Sequence, residues 1–249
     1  MATLQYLYFS NTAEHVLCSF GTDTLTLCKT VKEHIANGYE ADAFIIVRDY
    51  LHDKGDYSLD SYKSYQIESI YMFFDYDPQT GVAAGVLNNS VLDMIGLFDD
   101  AMGNGKIYIS YPMMESLFCL ESIPDSNYLT SCVSLSDCHH FKGWCNNSFS
   151  IARHQSEILF RTDKKHKINE VNPELRRCVL REKWDQLIIL NVCKANWICN
   201  DDLSFPTRDW DISQETVFQC ELSKFIIPNS SVAILNAFAL FLYEFFGKN

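Results

Sequence analysis

The chain lacks a basic charge balance. Its 249 residues carry 20 Lys and Arg against 32 Asp and Glu, a formal net charge of −12. Phosphate contacts supply most of the non-specific affinity of proteins for nucleic acid. Binding of nucleic acid by overall charge is therefore excluded, although a bound metal, a local basic patch or a basic partner can still bring an acidic enzyme to such a substrate. Long apolar runs are also missing. Ile107–Tyr111 and Ala237–Phe246 are too short or too interrupted to span a bilayer, so no membrane partner is expected. The opening Met-Ala-Thr-Leu-Gln-Tyr has neither the basic start nor the apolar stretch of a signal peptide, and the expected location is cytoplasmic. The 10 cysteines lack the regular framework of a secreted disulfide scaffold. Cys28, Cys119 and Cys193 sit among apolar neighbours and read as reduced core residues. There is no repeat and no low-complexity tract.

What is present suits a bulky core. Hydrophobic residues make up 47% of the chain, aromatics 14% and charged residues 21%, which argues against disorder. The length fits one large domain, or a core domain with an extension. Leu4–Phe9 reads as a strand, and Ala13–Cys18 and Thr24–Asn37 have helical spacing. Ala43–Arg48 is nearly all apolar and looks like a strand buried on both faces. Ser69–Phe74 looks like another and runs into Asp75-Tyr76-Asp77-Pro78. Val82–Met102 reads as a helix, Lys106–Ser110 as a strand, and Pro112 as the first turn of a helix through about Leu120. Such alternation predicts an α/β fold, with a mostly parallel sheet flanked by helices over residues 1–124. Residues 125–249 read as a mainly helical extension packed on that core, with helices at Trp184–Cys199 and Val232–Phe246.

Ligands of parallel sheets sit at the carboxyl ends of the strands, where Asp75, Asp77 and the Ser110–Glu115 segment are expected. Mg2+ and Mn2+ are hard cations that take oxygen ligands. Two carboxylates leaving a buried strand at Asp75-Tyr76-Asp77 can converge on one such ion, and acids at the mouth of an apolar strand call for a cation. The alternative is an Asx-turn ending the strand. Glu115 falls in the first turn after Pro112, where the helix dipole alone favours a carboxylate. Its sharper reading is that it faces the same crevice and positions the metal or a water.

These residues resemble a known family. Phe-Phe-Asp-Tyr-Asp-Pro is similar to the Asp-x-Asp strand end of Toprim domains. Ser-Tyr-Pro-Met-Met-Glu-Ser-Leu is similar to the Ser-x-Pro-x-x-Glu segment of the RloB/AbiLii-type Toprim proteins of bacterial defence. The resemblance covers about residues 4–122, and Ile234–Gly247 is weakly similar to the tail of uncharacterised relatives. It implies a Toprim-like fold and Mg2+- (or Mn2+-) dependent phosphodiesterase chemistry on DNA or tRNA. It also implies a role as toxic effector of an anti-phage system, an ABC/OLD-type ATPase partner and a possible oligomer. Asp75, Asp77 and Glu14 would hold the metal, and Glu14 or Glu115 would orient a water or take its proton. The pattern departs at Ser10-Asn11-Thr12-Ala13-Glu14, where Ser10 stands at the family's first Glu position and only Glu14 remains. A non-catalytic sensor or scaffold subunit and a small-nucleotide phosphohydrolase are the competing readings.

Two further stretches are singled out. Cys132, Cys138, His139, His140 and Cys145 are zinc-type ligands without standard spacing, and read first as ordinary loop residues. Arg161–Lys183 holds eight Lys or Arg against four Asp or Glu, which suits a solvated helix face or a backbone-contacting patch.

Overall fold

The computed structural model describes residues 2–9, 16, 21–78, 82–159, 173–207 and 212–246. The fold is mixed α/β, with helix dominating and the sheets small. Strand β1 (Tyr71–Asp75) and strand β3 (Gly105–Ser110) pair in parallel, with Tyr71 opposite Lys106 and Asp75 opposite Ser110. Between them run helix α4 (Ala84–Leu97) and the two-residue strand β2 (Asp99–Asp100), which lies antiparallel on the far side of β3. The sheet order is β1-β3-β2.

Two expected strands are helices. Residues Ala2–Leu7 form α1, where a strand over Leu4–Phe9 was predicted. Its end packs on the C-terminal half: Tyr8 lies 5.1 Å from the Phe246 ring, and the Arg181 guanidinium sits 4.0 Å over Tyr8. Aromatic preference for strands is a weak prior, and tertiary packing overrides it here. Ala43–Asp53 forms α3, where a buried strand over Ala43–Arg48 was predicted. Asp42 caps it, accepting hydrogen bonds from the Phe44 and Ile45 amides at 2.8 and 3.3 Å. The run is apolar all round because the helix faces two ways. Ala43 and Ile46 join the main core, while Phe44 and Leu51 close a smaller cluster with Leu59. A short apolar run cannot separate a buried strand from a buried helix by periodicity.

Other boundaries shift for local reasons. Helix α2 (Thr24–Ala36) starts at the Asp23 cap. Helix α4 stops before Met102 because Phe98 turns into the core and its carbonyl accepts from the Ile107 amide at 3.0 Å. After Pro112 a 3-10 turn (Met114–Phe118) replaces the expected helix.

Beyond residue 124, β4 (Cys132–Ser134) is followed by α5 (Phe141–Ser148), α6 (Ser150–Arg153) and the long α7 (Pro173–Asn200). Then α8 (Gln214–Cys220) runs through a π-helical turn (Glu221–Ile226) into α9 (Ile227–Asn229). Residues Ser231–Ala233 form β5, antiparallel to β4, so the helix predicted over Val232–Phe246 begins only at α10 (Ala237–Phe246).

One hydrophobic core crosses the 124/125 boundary. Tyr111 and Leu235 exchange backbone hydrogen bonds at 2.8 and 2.9 Å, and the Ile109 amide donates to Gln214 Oε1 at 3.1 Å. Helix α10 covers one sheet face: Phe73 stacks on Phe238 at 4.1 Å, and Phe241 packs against Tyr71, Phe73 and Tyr108. Glu244 fixes its outer end, pairing with Lys106 and accepting from the Tyr108 hydroxyl at 2.7 Å. Among the described residues no helix is long and apolar enough to cross a membrane.

Candidate acidic site at the end of β1

The β1–β3 ladder continues past Asp75. The Tyr76 amide donates to Ser110 O and the Asp77 amide to Pro112 O, each at 3.0 Å. Asp77 sits in the left-handed region, with φ of +39°, a conformation Asp tolerates better than most residues. The chain thus turns away from strand geometry at this acid. From the other side, the turn after Pro112 brings the Met114 amide to Asp75 Oδ1 at 2.8 Å. Thr24, first residue of α2, donates its hydroxyl to Asp75 O at 3.2 Å.

Asp75 is half-buried, and its carboxyl is pushed up to about 6. Burial is the largest cause, the Met114 N–H opposes it, and the nearby charges of Glu115 and Asp77 raise it further. The Asp77 amide on Pro112 O and the Met114 amide on Asp75 bring three of the four expected acids, Asp75, Asp77 and Glu115, to one strand end. Glu14, and with it Ser10, lies outside the described residues.

Lys142 on α5 pairs with Glu115 at 2.9 Å while itself largely exposed, and lies close enough to Asp75 to lower its pKa. The pairing holds the Lys142 ammonium above the usual lysine range. Sequence reading missed Lys142, because only the Cys and His residues of its segment suggested chemistry. Those residues do not gather. Cys145 turns to Cys119, with Sγ atoms 3.0 Å apart, whereas Cys138 turns to the Ser134 carbonyl at 3.3 Å and Cys132 to that of Thr130 at 3.7 Å.

The chain matches no family model, no curated protein and no solved structure.

The basic stretch is only partly described, from Pro173 onward. There Lys183 pairs with Glu157 at 2.8 Å, Arg181 with Asp185 at 3.0 Å, and Arg176 donates to the Ser156 carbonyl. These cations serve internal contacts. Trp184 is core, donating to Ile158 O at 2.7 Å. Lys194 is fully buried and donates to the Tyr128 and Ser131 carbonyls and the Ser131 hydroxyl at 2.6 to 2.7 Å.

As the side chains stand, no three His, Cys, Asp or Glu groups among the described residues are gathered tightly enough to hold an ion. Asp75 Oδ1 is taken by Met114 and Glu115 by Lys142. The donor set nevertheless suits a hard divalent cation: carboxylate oxygens, partly desolvated and mutually repelling, whose repulsion a cation relieves.

Proposed function

We propose that this chain is a Mg2+- or Mn2+-dependent phosphodiesterase of the Toprim type, akin to the RloB/AbiLii-type proteins. It would cut DNA or tRNA as the toxic effector of a bacterial anti-phage system, under control of an ABC/OLD-type ATPase. The observation that carries this reading is the meeting of Asp75, Asp77 and Glu115 at the carboxyl end of β1, with the Asp75 carboxyl raised to about 6 by burial and by the other two. The parallel β1–β3 pair with α4 between its strands supports a Toprim-like arrangement. The strands expected at Leu4–Phe9 and Ala43–Arg48 do not contribute to it.

In this reading Asp75 and Asp77, with Glu14, hold the ion. When bound, the ion supplies Lewis-acid polarisation of the phosphate and a more acidic water. The Met114 N–H keeps one Asp75 oxygen fixed. Glu115 orients the attacking water or takes its proton, which requires release from Lys142. The exposed Lys142 ammonium is then free to meet a phosphate oxygen of the substrate.

The test is cleavage of plasmid DNA and of tRNA with Mg2+ or Mn2+ by wild type and by the double variant Asp75→Ala, Asp77→Ala. Loss of cleavage in the variant is expected. Unchanged cleavage would sink the metal-nuclease reading.

The pairing of Glu115 with Lys142 favours a second reading, a non-catalytic sensor or scaffold subunit of the same complex. In that case Mn2+ titration shows no binding, cleavage is absent, and an ATPase partner is still recovered with the double variant.

A further inference from the structure

Behind the acidic turn lies a buried polar network whose hub is Asn236, 122 residues away from Met114 in the chain. Its Nδ2 donates to the Met114 carbonyl and to Ser116 Oγ, each at 3.1 Å. Its Oδ1 accepts from the Phe238 amide at 3.1 Å and so caps α10. Its own amide donates to Asn191 Oδ1 at 3.0 Å, an oxygen that also accepts from the Tyr128 hydroxyl at 2.7 Å. Asn191 is fixed in turn by its Nδ2, which donates to Leu187 O at 2.9 Å. Ser116 donates onward to Leu235 O at 3.2 Å, and Ser110 Oγ accepts from the Ala237 amide at 3.2 Å.

Both amide hydrogens of Asn236 and its oxygen are therefore engaged, and the side chain has one orientation. A buried amide used this fully is costly to replace. A simple helix cap needs only the oxygen. The two donor contacts go instead to the turn that carries Glu115. Met114 is held from both sides: its N–H is given to Asp75 and its carbonyl is taken by Asn236.

We propose that Asn236 is a positioning residue for the acidic site. Its amide fixes the Met114–Ser116 turn so that the Met114 N–H meets Asp75 and Glu115 stands beside it. The inference rests on the metal-site reading for its purpose, but the clamp itself can be tested without metal.

The experiment compares wild type, Asn236→Ala, Asn236→Asp and Ser116→Ala. Asn236→Asp keeps the acceptor that caps α10 and replaces the donor facing the Met114 carbonyl. Ser116→Ala is the gentler variant, removing one partner of that amide. Two readouts are taken: amide hydrogen exchange at Met114 in metal-free protein, and Mn2+ affinity by calorimetry, each referred to exchange in α7 as the measure of global folding. Exchange at Met114 is expected to speed up about tenfold or more while α7 stays protected. Mn2+ affinity is expected to fall about tenfold or more, as for other residues that orient ligands without touching the metal. If Met114 exchange is unchanged in Asn236→Asp and Ser116→Ala, Asn236 is a helix cap only and the proposal is overturned. If wild type binds no Mn2+ while Met114 exchange responds as expected, the metal reading fails and the clamp stands.

Discussion

Asp75 is the residue whose environment says most. A carboxyl that ionises near pH 6 when folded and near 3.8 when unfolded holds more protons in the folded state between those values. Stability contributed by that difference is present below about pH 4 and is lost as pH rises through about 6. Asp75→Asn keeps the oxygen that accepts from Met114 and removes the charge. It should raise the melting temperature at about pH 8 by the equivalent of about 2 kcal/mol and give no advantage near pH 4. A melting series against pH, variant minus wild type, checks this; an advantage that does not change with pH would contradict it. Taking the difference removes two other buried groups. Glu221 is pushed up to about 8 by burial, so its share of stability falls as pH rises from 4.5. Lys194 is pushed down to about 7 by burial, so its share falls as pH drops from 10.5. Lys142 makes a second case. Its pair with Glu115 is exposed on the lysine side, so Lys142→Met should leave stability within about 0.5 kcal/mol. Removing a competing cation should also tighten Mn2+ binding severalfold, read by calorimetry at low salt; weaker binding would show that Lys142 does not compete for the acids.

At the scale of elements, the docking of α3 turns on one glycine. Gly105 opens β3 at φ of +108°, and a Cβ there would lie 2.8 Å from the Ala43 Cβ. The Ala43 amide also donates to the Asn104 carbonyl at 3.0 Å. Backbone and helix meet too closely for any side chain at 105. Gly105→Ala should cost about 2 kcal/mol or more, from the left-handed backbone and the clash together. Urea unfolding measures it, and a loss under about 0.5 kcal/mol would show that α3 gives way freely. The sequence showed little of this contact. The tightness comes from Ala43, which the apolar run Ala43–Arg48 assigns to a strand. The strand ends at Asp75 and Ser110 were legible because apolar runs there stop at acids and at Pro112.

At the scale of the whole molecule, residues 1–124 and the extension 125–249 packed on them share one hydrophobic core. Tyr71, Phe73 and Tyr108 face α10, and Tyr111 pairs with Leu235. A fragment of residues 1–124 would expose that aromatic face and leave the Tyr111 backbone unpaired. It should not melt cooperatively, and its amide NMR spectrum should be poorly dispersed. A dispersed spectrum with a cooperative melt would show that the N-terminal half stands alone.

Local signals sufficed for the parallel β1–β3 pair, for the helix over Trp184–Cys199 inside α7, and for the position of Asp75 and Asp77 where β1 ends. Each rests on local signals: apolar runs of strand length, helical spacing, and charge placed where a strand must stop. Tertiary contacts were needed to make Ala2–Leu7 and Ala43–Asp53 helices, to set Lys142 against Glu115, and to bring the Asn236 amide onto the Met114 carbonyl. Those outcomes depend on which surface each segment meets. An apolar run carries no record of its partner, and a hydrogen bond across 122 residues has no local signature.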